Sequence, residues 1–131
     1  MVTLRRGDIW WVRQPTFPAQ GGDGTKRRRP YIVVSADPWN LVEAYPRVTL
    51  CPLTGAENVP RRYDTDVVLK KKETGLHKDS VVRCVEVYTV FRDHLIEPIG
   101  RVSARRMAEV DRALSLYLGL PVPDEMIHFG R

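Results

Sequence analysis

Lys26-Arg27-Arg28-Arg29 runs directly into Pro30 and then into the apolar stretch Tyr31-Ile32-Val33-Val34-Ser35, placing concentrated positive charge at the mouth of a predicted buried strand. Proline biases the preceding residue toward extended backbone, which holds Arg29 at the strand entrance. A guanidinium fixed there can clamp a phosphate through two parallel hydrogen bonds. Two further residues stand at comparable positions: Thr54, followed by Gly55, closes one predicted strand, and Arg83, beside Cys84, lies within another. Taken singly, each has a plainer explanation, as a surface cation, a turn residue and a strand residue on a solvated face.

The elements that must position these residues are mostly strands. Asp8 to Val12 reads as a first strand, and Gln14 to Thr25, with two prolines and three glycines, as a loop. Tyr31 to Ser35 is the second. Turn chemistry at Asp37-Pro38 and Trp39-Asn40 separates it from a third at Arg47 to Leu53, where Pro52 suggests an edge or a bulge. Asp66 to Leu69 returns to strand character in a hairpin-like excursion. Ser80 to Val90 is the longest β-prone run and is expected to cross the centre of the sheet.

After Ser103, a good N-cap, the period changes. Met107, Val110, Leu114, Tyr117 and Leu118 recur at spacings of three and four, and Gly119 followed by Pro121 marks a stop. An amphipathic helix over residues 104–118 follows, with Arg105 and Glu109 four apart on it. Several short strands with one C-terminal helix imply a small, strongly bent sheet or barrel.

At 131 residues the chain fits one domain, read as residues 1–119 with a tail over 120–131. The net charge of +5 accompanies basic clusters at Arg5-Arg6, residues 26–29, Arg61-Arg62, residues 70–72 and Arg105-Arg106, which together favour a polyanionic partner, while any one of them reads equally well as a solvated surface. Cys51 and Cys84 each sit in an apolar run without metal-site or redox-motif spacing, so both read as free core thiols in a reducing cytoplasm. No stretch predicts a signal peptide or a membrane span. No cluster of His, Cys, Asp and Glu has metal-ligand spacing, and His77, His94 and His128 read as surface or locally bonded residues. Gly21-Gly22-Asp23-Gly24-Thr25 lacks the context of a phosphate loop. No cofactor is expected.

Five short motifs in order carry a family resemblance: Arg6-Gly7-Asp8-Ile9-Trp10; Arg29-Pro30 before an apolar strand; Cys51-Pro52-Leu53-Thr54; Gly75-Leu76 with Asp79-Ser80-Val81-Val82-Arg83-Cys84; and Gly100-Arg101-Val102-Ser103 before a helix. Across roughly residues 5 to 119 this pattern resembles the MazF/PemK/Kid family of toxin endoribonucleases. The resemblance implies a homodimeric, SH3-like β-barrel of CcdB/PemK-like fold. It also implies metal-independent cleavage of single-stranded RNA by the ribose 2′-hydroxyl, leaving 2′,3′-cyclic phosphate and 5′-hydroxyl ends. Arg29 matches the family's catalytic arginine and Thr54 its catalytic threonine.

Physical chemistry narrows those roles. A guanidinium stays protonated in proteins, so Arg29 suits transition-state stabilisation and not proton abstraction, while the Thr54 hydroxyl can donate to a non-bridging oxygen. Arg83 matches an arginine that some members place beside an aspartate two residues on. Val85 occupies that position here, and strand alternation would put Glu86 on the opposite face from Arg83. The loop histidine of some members is likewise absent, and the general base stays unassigned.

RNA-binding candidates are Lys26, Arg27 and Arg28 as an electrostatic approach, Arg83 as a second phosphate ligand, and Phe17, Trp39, Arg61 and Arg62, with Tyr63, for bases. Of Trp10 and Trp11, alternation sends one to the core and the other outward, toward a subunit or antitoxin contact. The resemblance also implies a cognate, MazE-like antitoxin with an acidic segment that competes with RNA for the same cations. Two other readings compete. A CcdB-like gyrase poison is disfavoured because this chain lacks any tryptophan after Trp39 and ends Ile127-His128-Phe129-Gly130-Arg131. A non-catalytic SH3-like nucleic-acid- or protein-binding module would show salt-sensitive binding without scission.

Overall fold

The computed structural model describes residues 3–13 and 28–122. Seven strands and three helices follow in order: β1 (Asp8–Arg13), β2 (Arg28–Val33), α1 (Asp37–Asn40), β3 (Arg47–Gly55), β4 (Asp66–Leu69), α2 (Lys71–Thr74), β5 (Ser80–Arg83), β6 (Tyr88–Phe91), β7 (Leu95–Arg101) and α3 (Ala104–Leu118). The strands pair antiparallel in the order β4-β5-β3-β2-β1-β7, with β6 joined to β3 off that path. The expected small β fold with a C-terminal helix is what forms. Its hydrogen-bonded ladder is an open, bent sheet ending at β4 and β7 and does not close into a barrel.

β3 is the hub. Its first half, Arg47 to Leu50, pairs with β6, and its last three residues, Leu53 to Gly55, pair with β5, while Tyr31 to Val33 of β2 lie along its other side. Pro52 therefore marks neither an edge strand nor a bulge. It sits inside a central strand, at the point where the partner on one side changes, a place that tolerates a residue without an N–H.

The run Ser80 to Val90 is two strands and not one. The chain turns after Arg83, where the Glu86 amide donates to the Arg83 carbonyl at 3.0 Å, and resumes at Tyr88. β-propensity is high throughout this run, so composition does not reveal the turn. β7 is a further element without a sequence signal. Pro98 and two register shifts against β1 make it an irregular edge strand, a setting that tolerates proline.

Alternation along the strands builds two cores. Ile9, Ile32, Cys51, Leu53, Val82, Val102, Val110 and Ala113 pack on the face covered by α3. Trp10, Val12, Tyr31, Val33, Val48, Leu50 and Val90 pack on the other. Cys51 and Cys84 are free and fully buried, as expected, and the contact with Cys51, followed by burial, pushes the Cys84 thiol far above the ordinary range.

α3 runs over the anticipated residues, with the Ser103 hydroxyl accepting from the Arg106 amide and Gly119 in the left-handed region at its end. Its apolar stripe is shorter than expected, since Tyr117 and Leu118 are exposed. The charge pair differs as well: Arg106, and not Arg105, meets Glu109, at 2.9 Å. Arg106 also bonds Glu73 at 2.9 and 3.2 Å, tying α3 to α2.

That tie carries a pH signature. Arg106 first, and the Lys70 amide second, hold the Glu73 carboxyl below its ordinary range. A carboxylate depressed in the folded state stabilises it above the unfolded pKa, and that contribution is lost as pH falls from about 4.5 downward. Glu73→Gln is therefore expected to flatten the acid limb of Tm against pH. Superimposable acid limbs for the two proteins would count against this linkage.

Candidate active site

Extending the β2–β3 register from the Tyr31–Pro52 pair by two residues puts Arg29 opposite Thr54. Residues opposed in an antiparallel pair share a face, so both side chains stand on the same side of the sheet. They touch: Arg29 Nη2 donates to Thr54 Oγ1, and Arg29 Nε reaches the Leu53 carbonyl at 3.4 Å. Arg29 lies within β2, one residue further into the strand than its sequence suggests, and is half-buried like Thr54. A cation and a hydroxyl are thus held side by side by strand pairing, with no flexible segment between them.

Beside the pair lies a cavity of about 400 Å³. Its apolar wall is Trp11, Pro30, Leu53 and Leu76, and Asn58, His77, Lys78 and Ser80 supply the polar groups. His77, read from sequence as a plain turn residue, is exposed on this wall, delivered there by the α2–β5 connection, whose role no sequence motif announces. Trp10 is buried in the second core. Trp11 faces the cavity, and the Arg28 guanidinium lies over its ring at 4.8 Å from the centroid. Arg28 also pairs with Glu97 of β7 at 3.2 Å.

Arg83 shares the sheet face of Thr54, since Val81 opposes Thr54 and Arg83 lies two residues on. Its carboxylate partner comes from β4: Arg83 Nε stands 3.1 Å from Asp66 Oδ1, whose side chain is 1% exposed. The two atoms approach closely without the alignment of a hydrogen bond. The turn after Arg83 also removes the alternation that placed Glu86 on the opposite face; its carboxylate instead accepts from the Tyr88 hydroxyl at 3.3 Å.

Other candidates are placed less centrally. Arg61, Arg62 and Tyr63 are exposed on the connection from Asn58 of the cavity wall to Asp66. Trp39 is exposed in α1, beyond the far end of β2. The strand from Arg29 to Val33 alone separates it from the Arg29–Thr54 pair by about 13 Å. Its ring packs against Tyr45, at 5.7 Å between centroids, and the structure does not bring it to the site. Phe17, Lys26 and Arg27 lie outside the described residues. Among the described residues no group of three or more His, Cys, Asp and Glu could hold a metal ion. No helix there is long and apolar enough to cross a membrane.

Known proteins share this fold. Residues 5–118 match the family described as PemK-like, MazF-like toxin of type II toxin-antitoxin system. Endoribonuclease MazF9 of Mycobacterium tuberculosis is 35% identical over 120 residues, covering 89% of this chain and 98% of that protein. In fold, the chain is similar to an endoribonuclease from a mycobacterial species solved in complex with its cognate antitoxin, with a TM-score of 0.69 and 24% identity over 92% of this chain and 99% of that one. MazF from Deinococcus radiodurans is similar too, with a TM-score of 0.66 and 25% identity over 92% of this chain and all of that one. A family match spanning Arg29, Thr54 and every described strand and helix leads to one conclusion: this chain belongs to the PemK-like, MazF-like toxins of type II toxin–antitoxin systems.

Proposed function

We propose that this toxin is an endoribonuclease that cuts single-stranded RNA without a metal, by attack of a ribose 2′-hydroxyl on the adjacent phosphorus, leaving 2′,3′-cyclic phosphate and 5′-hydroxyl ends. The observation that carries the reading is the Arg29–Thr54 pair, fixed by the β2–β3 ladder beside an open cavity. Charge builds on the non-bridging oxygens as phosphorus becomes five-coordinate. Arg29 supplies a fixed cation to that charge, and Thr54 a hydroxyl donor that needs little reorganisation. Arg83, braced by Asp66 on the same face, is a second phosphate ligand further along the strand, and Arg28 with Lys26 and Arg27 forms the basic approach.

The working protein is a homodimer in the cytoplasm, with residues 1–119 as the toxin domain and 120–131 as a tail. Its partner is a cognate antitoxin: MazF of Deinococcus radiodurans has been solved with MazE, and the mycobacterial relative with its own antitoxin. An acidic antitoxin segment laid over Arg28, Arg29 and Arg83 would exclude RNA by occupying the same cations.

The test is incubation of purified protein with single-stranded RNA in excess chelator, followed by analysis of the new ends. Cyclic phosphate and 5′-hydroxyl termini are expected, whereas binding without scission would move the protein to the non-catalytic reading. Thr54→Val, which keeps shape and removes the hydroxyl, is expected to lower kcat by about 10²-fold. An unchanged kcat would show that Thr54 only supports Arg29.

A further inference from the structure

We propose that Glu86 is the general base of the cleavage reaction, held in place by Tyr88. This rests on the endoribonuclease reading and fills the role that Arg29 and Thr54 cannot. The turn after Arg83 lifts residues 84–87 out of the ladder, so Glu86 is released from the up-and-down alternation of a strand. Its carboxylate is half-exposed and accepts from Tyr88 Oη at 3.3 Å. Tyr88 opposes Leu50 on β3, and its ring meets that of Tyr31 edge-on, at 6.3 Å between centroids. Tyr31 lies two residues from Arg29 on β2 and therefore on the same face. Glu86, Tyr88, Tyr31, Arg29 and Thr54 thus line one side of the sheet in sequence, with the carboxylate at one end and the phosphate clamp at the other. Burial first, and the Glu86 carboxylate second, hold the Tyr88 phenol above its ordinary range, with the Arg29 charge opposing them. Tyr88 from β6 stands against Glu86, and the groups that act on the Tyr88 phenol in turn are Tyr31 and Arg29 from β2.

In the step itself the 2′-hydroxyl proton passes to a Glu86 carboxylate oxygen and the freed oxygen bonds to phosphorus. The bond from phosphorus to the 5′-oxygen breaks, solvent water protonates that oxygen, and Glu86 returns its proton to water. Base and clamp are separate groups on one face of the sheet, because the attacking hydroxyl lies on the sugar and the clamp holds the phosphate.

The experiment is a pH–rate profile for cleavage of a short single-stranded RNA, with RNA affinity measured in parallel. Glu86→Gln keeps the acceptor for Tyr88 and is expected to lose about 10²-fold in kcat with KM unchanged, and to lose the acid limb that the wild type shows. Tyr88→Phe is expected to lose roughly tenfold and keep the acid limb, and adding it to Glu86→Gln should cost nothing further. A Glu86→Gln protein within threefold of wild type, or one that retains the acid limb, would overturn the proposal. So would a Tyr88→Phe change that slows the Glu86→Gln protein as much as it slows the wild type. Failure of the wild type to cut any RNA would instead sink the endoribonuclease reading, and this one with it.

Discussion

Arg29→Ala is expected to reduce RNA cleavage by on the order of 10³-fold or more, a loss comparable to removing an arginine that stabilises a phosphoryl transition state. The fold should survive. The side chain is half-buried, and what it contributes to the folded chain is one bond to Thr54 and a long one to the Leu53 carbonyl, while β2 and β3 stay joined by their backbone ladder. Arg29→Lys should recover only part of the rate, because a point charge lacks the planar fork that meets two oxygens at once. The check pairs a cleavage assay in chelator with circular dichroism of each variant. Full activity in a folded Arg29→Ala protein would remove Arg29 from the mechanism and leave the clamp without its centre.

Gly100→Ala is expected to cost about 1–3 kcal/mol of stability, the usual penalty for forcing atoms into filled space. A Cβ at this position would stand 2.5 Å from the Thr74 carbonyl oxygen, and a backbone atom cannot swing aside as a side-chain tip can. Gly100 sits in β7 opposite Ile9, and Thr74 ends α2, so the substitution pushes α2 off the sheet. The segment that follows α2 carries Leu76, His77 and Lys78 to the cavity, and activity should fall with stability. Urea unfolding of the two proteins measures the first effect. A midpoint unchanged from wild type would mean that β7 and α2 separate without cost.

Sequence alone locates β1, β3, β4 and α3, because their signals are local: alternating β-branched and aromatic residues, or a period of three and four closed by Ser103 and Gly119. It misses what depends on pairing. Pro98 hides β7, and the valines of residues 81–90 conceal a turn that only the Glu86–Arg83 hydrogen bond discloses. The site divides the same way. Arg29 and Thr54 are legible from motif order, and the ladder then explains their contact. Trp39 has the chemistry of a base-stacking residue, yet the strand from Arg29 to Val33 sets it at the other end of the sheet. The Glu73–Arg106 bond joins residues 33 apart, a separation that no helix-spacing rule reaches.

The pairing of β1 with β7 has a kinetic consequence. Asp8 and Arg101 are 93 residues apart and meet at 2.8 Å, so the outer ladder and this ion pair form only after the chain has closed on itself over most of its length. Sheets built from such distant partners fold in milliseconds to seconds, not microseconds. Trp11 lies opposite Glu97 in that ladder, so the cavity wall is completed late in folding. A newly made chain would therefore pass through a period with the Arg29–Thr54 pair assembled from β2 and β3 but with its cavity wall unfinished.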